Sequence, residues 1–216
     1  MADEFTLAQL EKAWAAIAPL FVKIDKSRIL YERPGCHIYI EQEWGPPVPY
    51  PSVAREDGAN HGYRPTKGDS AAVRAIPEIR GWKDFETLLL AINHPAGLYE
   101  SVGCESGCFP ADKGEAKVYV STYIDIILSE NSANTPSAHL ELAYEIEHAL
   151  RGNLEWWGFV EIGIERLKYL EGVEEPWGTW LRLGQYAPDE TLARQSWGYS
   201  AGLLERMFYR MAGEPT

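Results

Sequence analysis

Apolar residues at Phe5, Leu7, Leu10, Trp14, Ile17, Leu20 and Phe21 recur close to every 3.6 residues, which predicts an amphipathic helix over 5–22 with Thr6 or Asp3 placed to cap it. The period then shortens. Arg28 to Glu32 and Cys36 to Trp44 are β-rich runs separated by Arg33-Pro34-Gly35. In the second run Ile38, Ile40, Gln42 and Trp44 alternate with His37, Tyr39, Glu41 and Glu43, so the pair predicts a hairpin. Trp82 to Asn93 returns to helical spacing through Phe85, Leu88, Leu89 and Ile92 and stops before Pro95 and Gly97. Gly97 to Val102 and Ala116 to Ile124 read as two further strands, with turn chemistry at Asp112-Lys113-Gly114. After Pro136, residues 138–150, 156–170 and 203–211 all read as helices, and Pro176 and Pro188 punctuate their connections.

Strands gathered ahead of helices predict an α+β protein: one domain over 1–216 with a small antiparallel sheet of about four strands packed with helices. Its sheet-containing part is 1–130, its helical part is 137–211, and the C-terminal third is all helical. Residues 45–68 hold no sustained period and are rich in proline and glycine, so they form either a plain surface loop or an ordered binding loop carrying Tyr50, His61 and Tyr63. One internal echo stands out. Trp157-Gly158-Phe159 leads to Ile164-Glu165-Arg166-Leu167, and Trp197-Gly198-Tyr199 leads to Leu204-Glu205-Arg206-Met207. Either a duplicated helical unit or two helices under similar packing demands would produce it.

Composition narrows the function classes. With 45% hydrophobic and 24% charged residues the chain has a globular composition and enough apolar content for a sizeable core. Met1-Ala2-Asp3-Glu4 is acidic where a signal peptide needs a basic start, and no run reaches the length of a membrane span, so a cytoplasmic location with no membrane contact is expected. The three cysteines, an odd number without an export signal, are expected as free thiols. The net charge of −12, from 32 acids against 20 bases, disfavours direct nucleic-acid binding and favours a basic protein partner.

Chemistry-bearing residues are sparse. Cys104-Glu105-Ser106-Gly107-Cys108 opens like a zinc cluster but lacks a second ligand pair, and a cysteine nucleophile there needs a base that the sequence does not supply. Glu141, Glu145 and His148 share a helix face, and Glu145-x-x-His148 is half of a di-iron motif with no second half. No catalytic residue, cofactor or metal is therefore assigned. Of the eight tryptophans, Trp14, Trp82 and Trp180 fit buried helix faces, whereas Trp44, at the mouth of the proline-rich loop, is expected to be partly exposed. Between 130 and 175 there are ten acids and three bases, and Glu171, Glu174 and Glu175 gather before Pro176. Trp44, Tyr50, Tyr63, Glu141, Glu145, Glu171, Glu174 and Glu175 are the candidate partner-binding residues.

In size, acidity, α+β plan, the Trp-Gly pairs at 44, 157, 177 and 197 and the Gly103-Cys104 step, the chain resembles the cytoplasmic immunity proteins of bacterial polymorphic toxin systems, those of type VI secretion among them. The resemblance includes the immunity proteins paired with restriction-endonuclease-like nuclease toxins. It implies a tight, electrostatically steered complex with a basic cognate toxin encoded nearby, without cofactor or turnover. The other function class is a small cysteine- or carboxylate-dependent enzyme using Cys104, Glu105 or Cys108.

Overall fold

The computed structural model describes residues 6–17, 28–44, 48, 52–55, 58–151, 158–167 and 176–214. Helix α1 (Leu7–Ile17) opens with the Thr6 hydroxyl accepting from the Gln9 N–H, as its spacing predicts. A hairpin follows, β1 (Arg28–Arg33) and β2 (Cys36–Trp44), turned at Gly35, whose φ of 77° is a left-handed conformation that favours glycine. Within the proline-rich region β3 (Val53–Arg55) and β4 (Gly58–Asn60) pair as a separate small hairpin. Helix α2 (Ser70–Arg74) is capped by Asp69, and α3 (Lys83–Ile92) buries Phe85, Leu88, Leu89 and Ile92. Next come the long hairpin β5 (Tyr99–Lys113) and β6 (Ala116–Leu128), helix α4 (Pro136–Leu150), a third large hairpin β7 (Gly158–Arg166) and β8 (Trp177–Ala187), and helix α5 (Glu190–Met211).

The three large hairpins join into one sheet in the order β1-β2-β7-β8-β6-β5. All neighbours are antiparallel except β2 and β7, which run parallel, so the last hairpin is inserted between the first two. This corrects the predicted architecture in two respects. The sheet is mixed and has six strands rather than about four, and the C-terminal third contributes two of them, β7 and β8, instead of being all helical. The predicted helix at 156–170 is strand over the described residues 158–166 because two periods coexist there. Trp157, Val160, Ile164 and Leu167 fit a helix face, whereas Val160, Ile162 and Ile164 alternate with Glu161, Gly163 and Glu165. The β-branched residues suit a strand, and pairing with β2 and β8 decides for it. The duplication reading falls with it, since Gly158-Phe159 opens a strand while Trp197-Gly198-Tyr199 lies inside a helix.

Alternate residues of the sheet, among them Ile38, Ile40, Val120, Ile124, Val160, Ile162, Ile164, Leu181 and Leu183, are buried against α1, α3, α4 and α5 in one core running from Leu10 to Phe208. Trp197 of α5 is fully buried there, its rings 4.6 Å from Trp82 and 5.6 Å from Phe85. Trp82 is buried as predicted, Trp14 is half-buried, and Trp180 sits on β8 rather than on a helix. Among the described residues no helix is long and apolar enough to cross a membrane.

Candidate functional site

With the described large helices packed on one face, the residues of opposite parity make up the other face, where aromatic rings lie among charged residues and glycines. His37 and Tyr39 of β2, Tyr119 and Tyr123 of β6, Phe159 of β7 and Trp180 and Tyr186 of β8 are all half-buried. One row stacks across the sheet: His37 on Tyr39 at 5.9 Å, Tyr39 on Trp180 at 6.1 Å, and Trp180 on Tyr123 at 6.3 Å. A second group joins Phe109 to Tyr119 at 5.1 Å, with Tyr186 5.3 Å and Phe159 6.3 Å from Tyr119.

Glycines make this surface flat. A Cβ at Gly163 would lie 2.0 Å from the Trp180 ring, one at Gly184 would lie 2.1 Å from Phe159, and one at Gly107 would lie 2.5 Å from Phe109. Each ring therefore lies down over a neighbouring glycine. Towards the tip of the long hairpin the second group encloses an open pocket of about 640 Å³, whose polar lining includes Glu105, Lys113, Glu161 and Arg182. Arg182 donates from Nη1 to Glu161 at 3.1 Å, and the Lys113 ammonium stands 4.4 Å over the Tyr186 ring.

The same face holds two acids that are almost fully buried. Asp125 accepts a hydrogen bond of 2.5 Å from the Tyr123 hydroxyl, and burial, only partly countered by that bond, raises its carboxyl to about 7. Burial, with Asp125 and Glu41 adding repulsion, raises Glu165 to about 8. Between about pH 4 and 8 the folded chain thus binds protons that the unfolded chain has released, and stability falls as pH rises through that window. His139 works in the opposite sense. Burial between Thr179 and Asn134, 2.9 and 3.1 Å from its ring nitrogens, lowers it from 6.5 to about 3, so its contribution is lost as pH falls through that range. The double change Asp125→Asn, Glu165→Gln is expected to raise stability at pH 8 by on the order of 2 kcal/mol and to flatten the alkaline limb in urea titrations. An unchanged pH profile would contradict this assignment.

The predicted residues do not form one site. Tyr63 packs on a second small apolar cluster of Val48, Val102, Ile127 and Leu167, and burial, then Glu100, raises its hydroxyl pKa. Glu141 and Glu145 lie instead on α4, where Glu141 is exposed and Glu145 pairs with Arg210 at 3.3 Å beside the exposed Leu98. Both carboxylates, behind the larger effect of burial, help raise Tyr99 to about 12. Trp44 ends β2, with its side chain outside the described residues, and Tyr50, Glu171, Glu174 and Glu175 lie outside them altogether.

Cys104 and Cys108 are on β5. Burial raises Cys104 well above the usual thiol range, and burial together with Glu190 raises the exposed Cys108, while buried Cys36 is raised to about 12. These settings disfavour the thiolate. Among the described residues no three His, Cys, Asp or Glu side chains gather to hold a metal ion, and His148 stacks on Tyr144 instead. Comparison with protein-family models, curated proteins and solved structures finds no match to this chain.

Proposed function

We propose that this chain is a binding protein without turnover, an immunity protein that neutralises a basic toxin encoded nearby, and that the toxin docks on the aromatic face of the sheet. The observation that carries this reading is the set of rings laid flat over Gly107, Gly163 and Gly184. Tyrosine, tryptophan and phenylalanine are enriched where protein interfaces concentrate binding energy, and rings already fixed by packing lose little freedom on contact. Around β2 and β7 the face carries Glu32, Glu41 and Glu161 beside Arg182, which adds local acidity to a chain of net charge −12. Charge of that sign accelerates encounter with a basic partner, and the rings slow dissociation.

A second reading, a small carboxylate-dependent enzyme, has one observation on its side. Asp125 and Glu165 hold protons near neutral pH, as general acids do. The two readings separate under substitution. Calorimetric titration with the toxin is expected to show Tyr119→Ala weakening the complex by about thirtyfold, while Tyr199→Ala, 62% exposed on α5, leaves it unchanged. Equal loss at both positions would remove the sheet face from the interface. Loss of protection in the Asp125→Asn, Glu165→Gln chain with toxin affinity intact would favour the enzyme.

A further inference from the structure

We infer that the pocket near the hairpin tip is a socket for one arginine side chain of the partner, and that Lys113 occupies part of it until the partner arrives. The inference rests on the docking reading above and specifies the chemistry of that site. A guanidinium is planar, stacks on aromatic faces and pairs bidentately with carboxylates. The rings of Tyr119, Phe159 and Tyr186 and the carboxylates of Glu105 and Glu161 line the same cavity, so it presents both kinds of group.

The chain's own cations already use these positions. Lys113 stands over the Tyr186 ring at 4.4 Å, and Arg182 pairs with Glu161 at 3.1 Å while its guanidinium lies 6.0 Å from the Trp180 ring. The two differ in how firmly they are held. Arg182 lies within β8, paired on both sides, whereas Lys113 is the last residue of β5, exposed, beside the Gly114 turn. An exposed lysine is a strongly hydrated point charge on a flexible stem, so its ammonium can return to water at little cost. Lys113, Arg182, Glu105 and Glu161 of the lining sum to zero charge. When Lys113 swings out, the lining gains a net negative charge and the Tyr186 face is open to another cation. Anionic ligands are disfavoured by the charge of the chain.

The test uses N-acetyl-L-arginine amide and the full chain, followed by NMR of the tyrosine ring signals. Saturable shifts of Tyr119 and Tyr186 are expected, with affinity about threefold lower in Glu105→Gln and about threefold higher in Lys113→Ala. The citrulline analogue, which keeps the shape and loses the charge, is expected to give no shift. The socket is overturned if citrulline or a methyl glucoside moves the same signals as strongly, or if Lys113→Ala weakens arginine binding. Because the probe needs no toxin, failure here with toxin binding intact removes the socket alone. Arginine binding without toxin binding removes the docking reading instead.

Discussion

Trp197→Ala is expected to lower the free energy of unfolding by about 4 kcal/mol, the largest effect of any single change considered. The indole is fully buried at the junction of α3, α5 and β8, against Trp82 and Phe85, and its Nε1–H donates to the Leu183 carbonyl at 3.2 Å. Removing it opens a large cavity between rings whose own backbones fix their positions, so little collapse can relieve the loss. The bond itself is a smaller part, because the Leu183 carbonyl also accepts from Thr122 at 3.4 Å. Trp197→Phe keeps most of the volume and is expected to cost about 1–2 kcal/mol. Against a total stability of about 5–15 kcal/mol, the alanine variant is at best marginally folded at 37 °C. Urea titration at neutral pH measures both, and a loss under about 1 kcal/mol for alanine would mean that α5 does not anchor this core.

Glu147→Ala is the second large effect, about 2–3 kcal/mol. Glu147 is fully buried on α4 and accepts from Arg33 of β1 at 2.7 Å and from Arg151 at 2.7 Å, with the Tyr31 hydroxyl at 3.5 Å. Breaking a buried ion pair strands the remaining charge, which ordinarily costs about 3–5 kcal/mol. Here the arginine side chains keep 17% and 30% exposure, and water recovers part of that loss. The cluster ties the edge strand to the helix layer, so the account also expects non-additivity. Arg33→Met combined with Glu147→Leu, which removes charge on both sides, is expected to cost less than Glu147→Ala alone. A double variant as damaged as the sum of its parts would contradict it.

Much of the fold was legible where one period dominated. The β1-β2 hairpin, α3 and α4 follow from alternation or from 3.6-residue spacing bounded by glycine and proline, and they lie where those patterns place them. The failure at β7 was a tie between two periods, broken only by pairing with β2 and β8, residues distant in sequence. Strand β8 carries its own alternation, Thr179, Leu181 and Leu183 against Trp180, Arg182 and Gly184, but the helical period on either side masks it until β6 and β7 pair with it. Helix α5 begins at Glu190, well before the predicted start at Leu203, since Gly198 and Gly202 interrupt the helical signal while Asp189 caps the true start by accepting from Leu192.

The candidate site was harder to read for the same reason. A flat aromatic face requires the strand order, which places Tyr39 opposite Gly163 and Gly163 opposite Trp180. The local signal was the isolated glycine within a strand pattern, at 163 and 184, which marks close approach of another group. Asp125, a lone acid between Ile124 and Ile126, was a comparable sign of a residue facing away from the main core. The density of acids along the chain peaks around α4, so it points to Glu141 and Glu145 on the helix layer rather than to the sheet.

The decisive measurement is co-expression of the chain with the product of the adjacent gene, followed by capture of the chain at low and high salt and counting of surviving cells. A one-to-one complex with a basic protein that weakens as salt is raised, formed in cells that die when the partner is expressed alone, is the predicted result. A folded chain that captures nothing and protects no cell from its neighbour's product would contradict the reading.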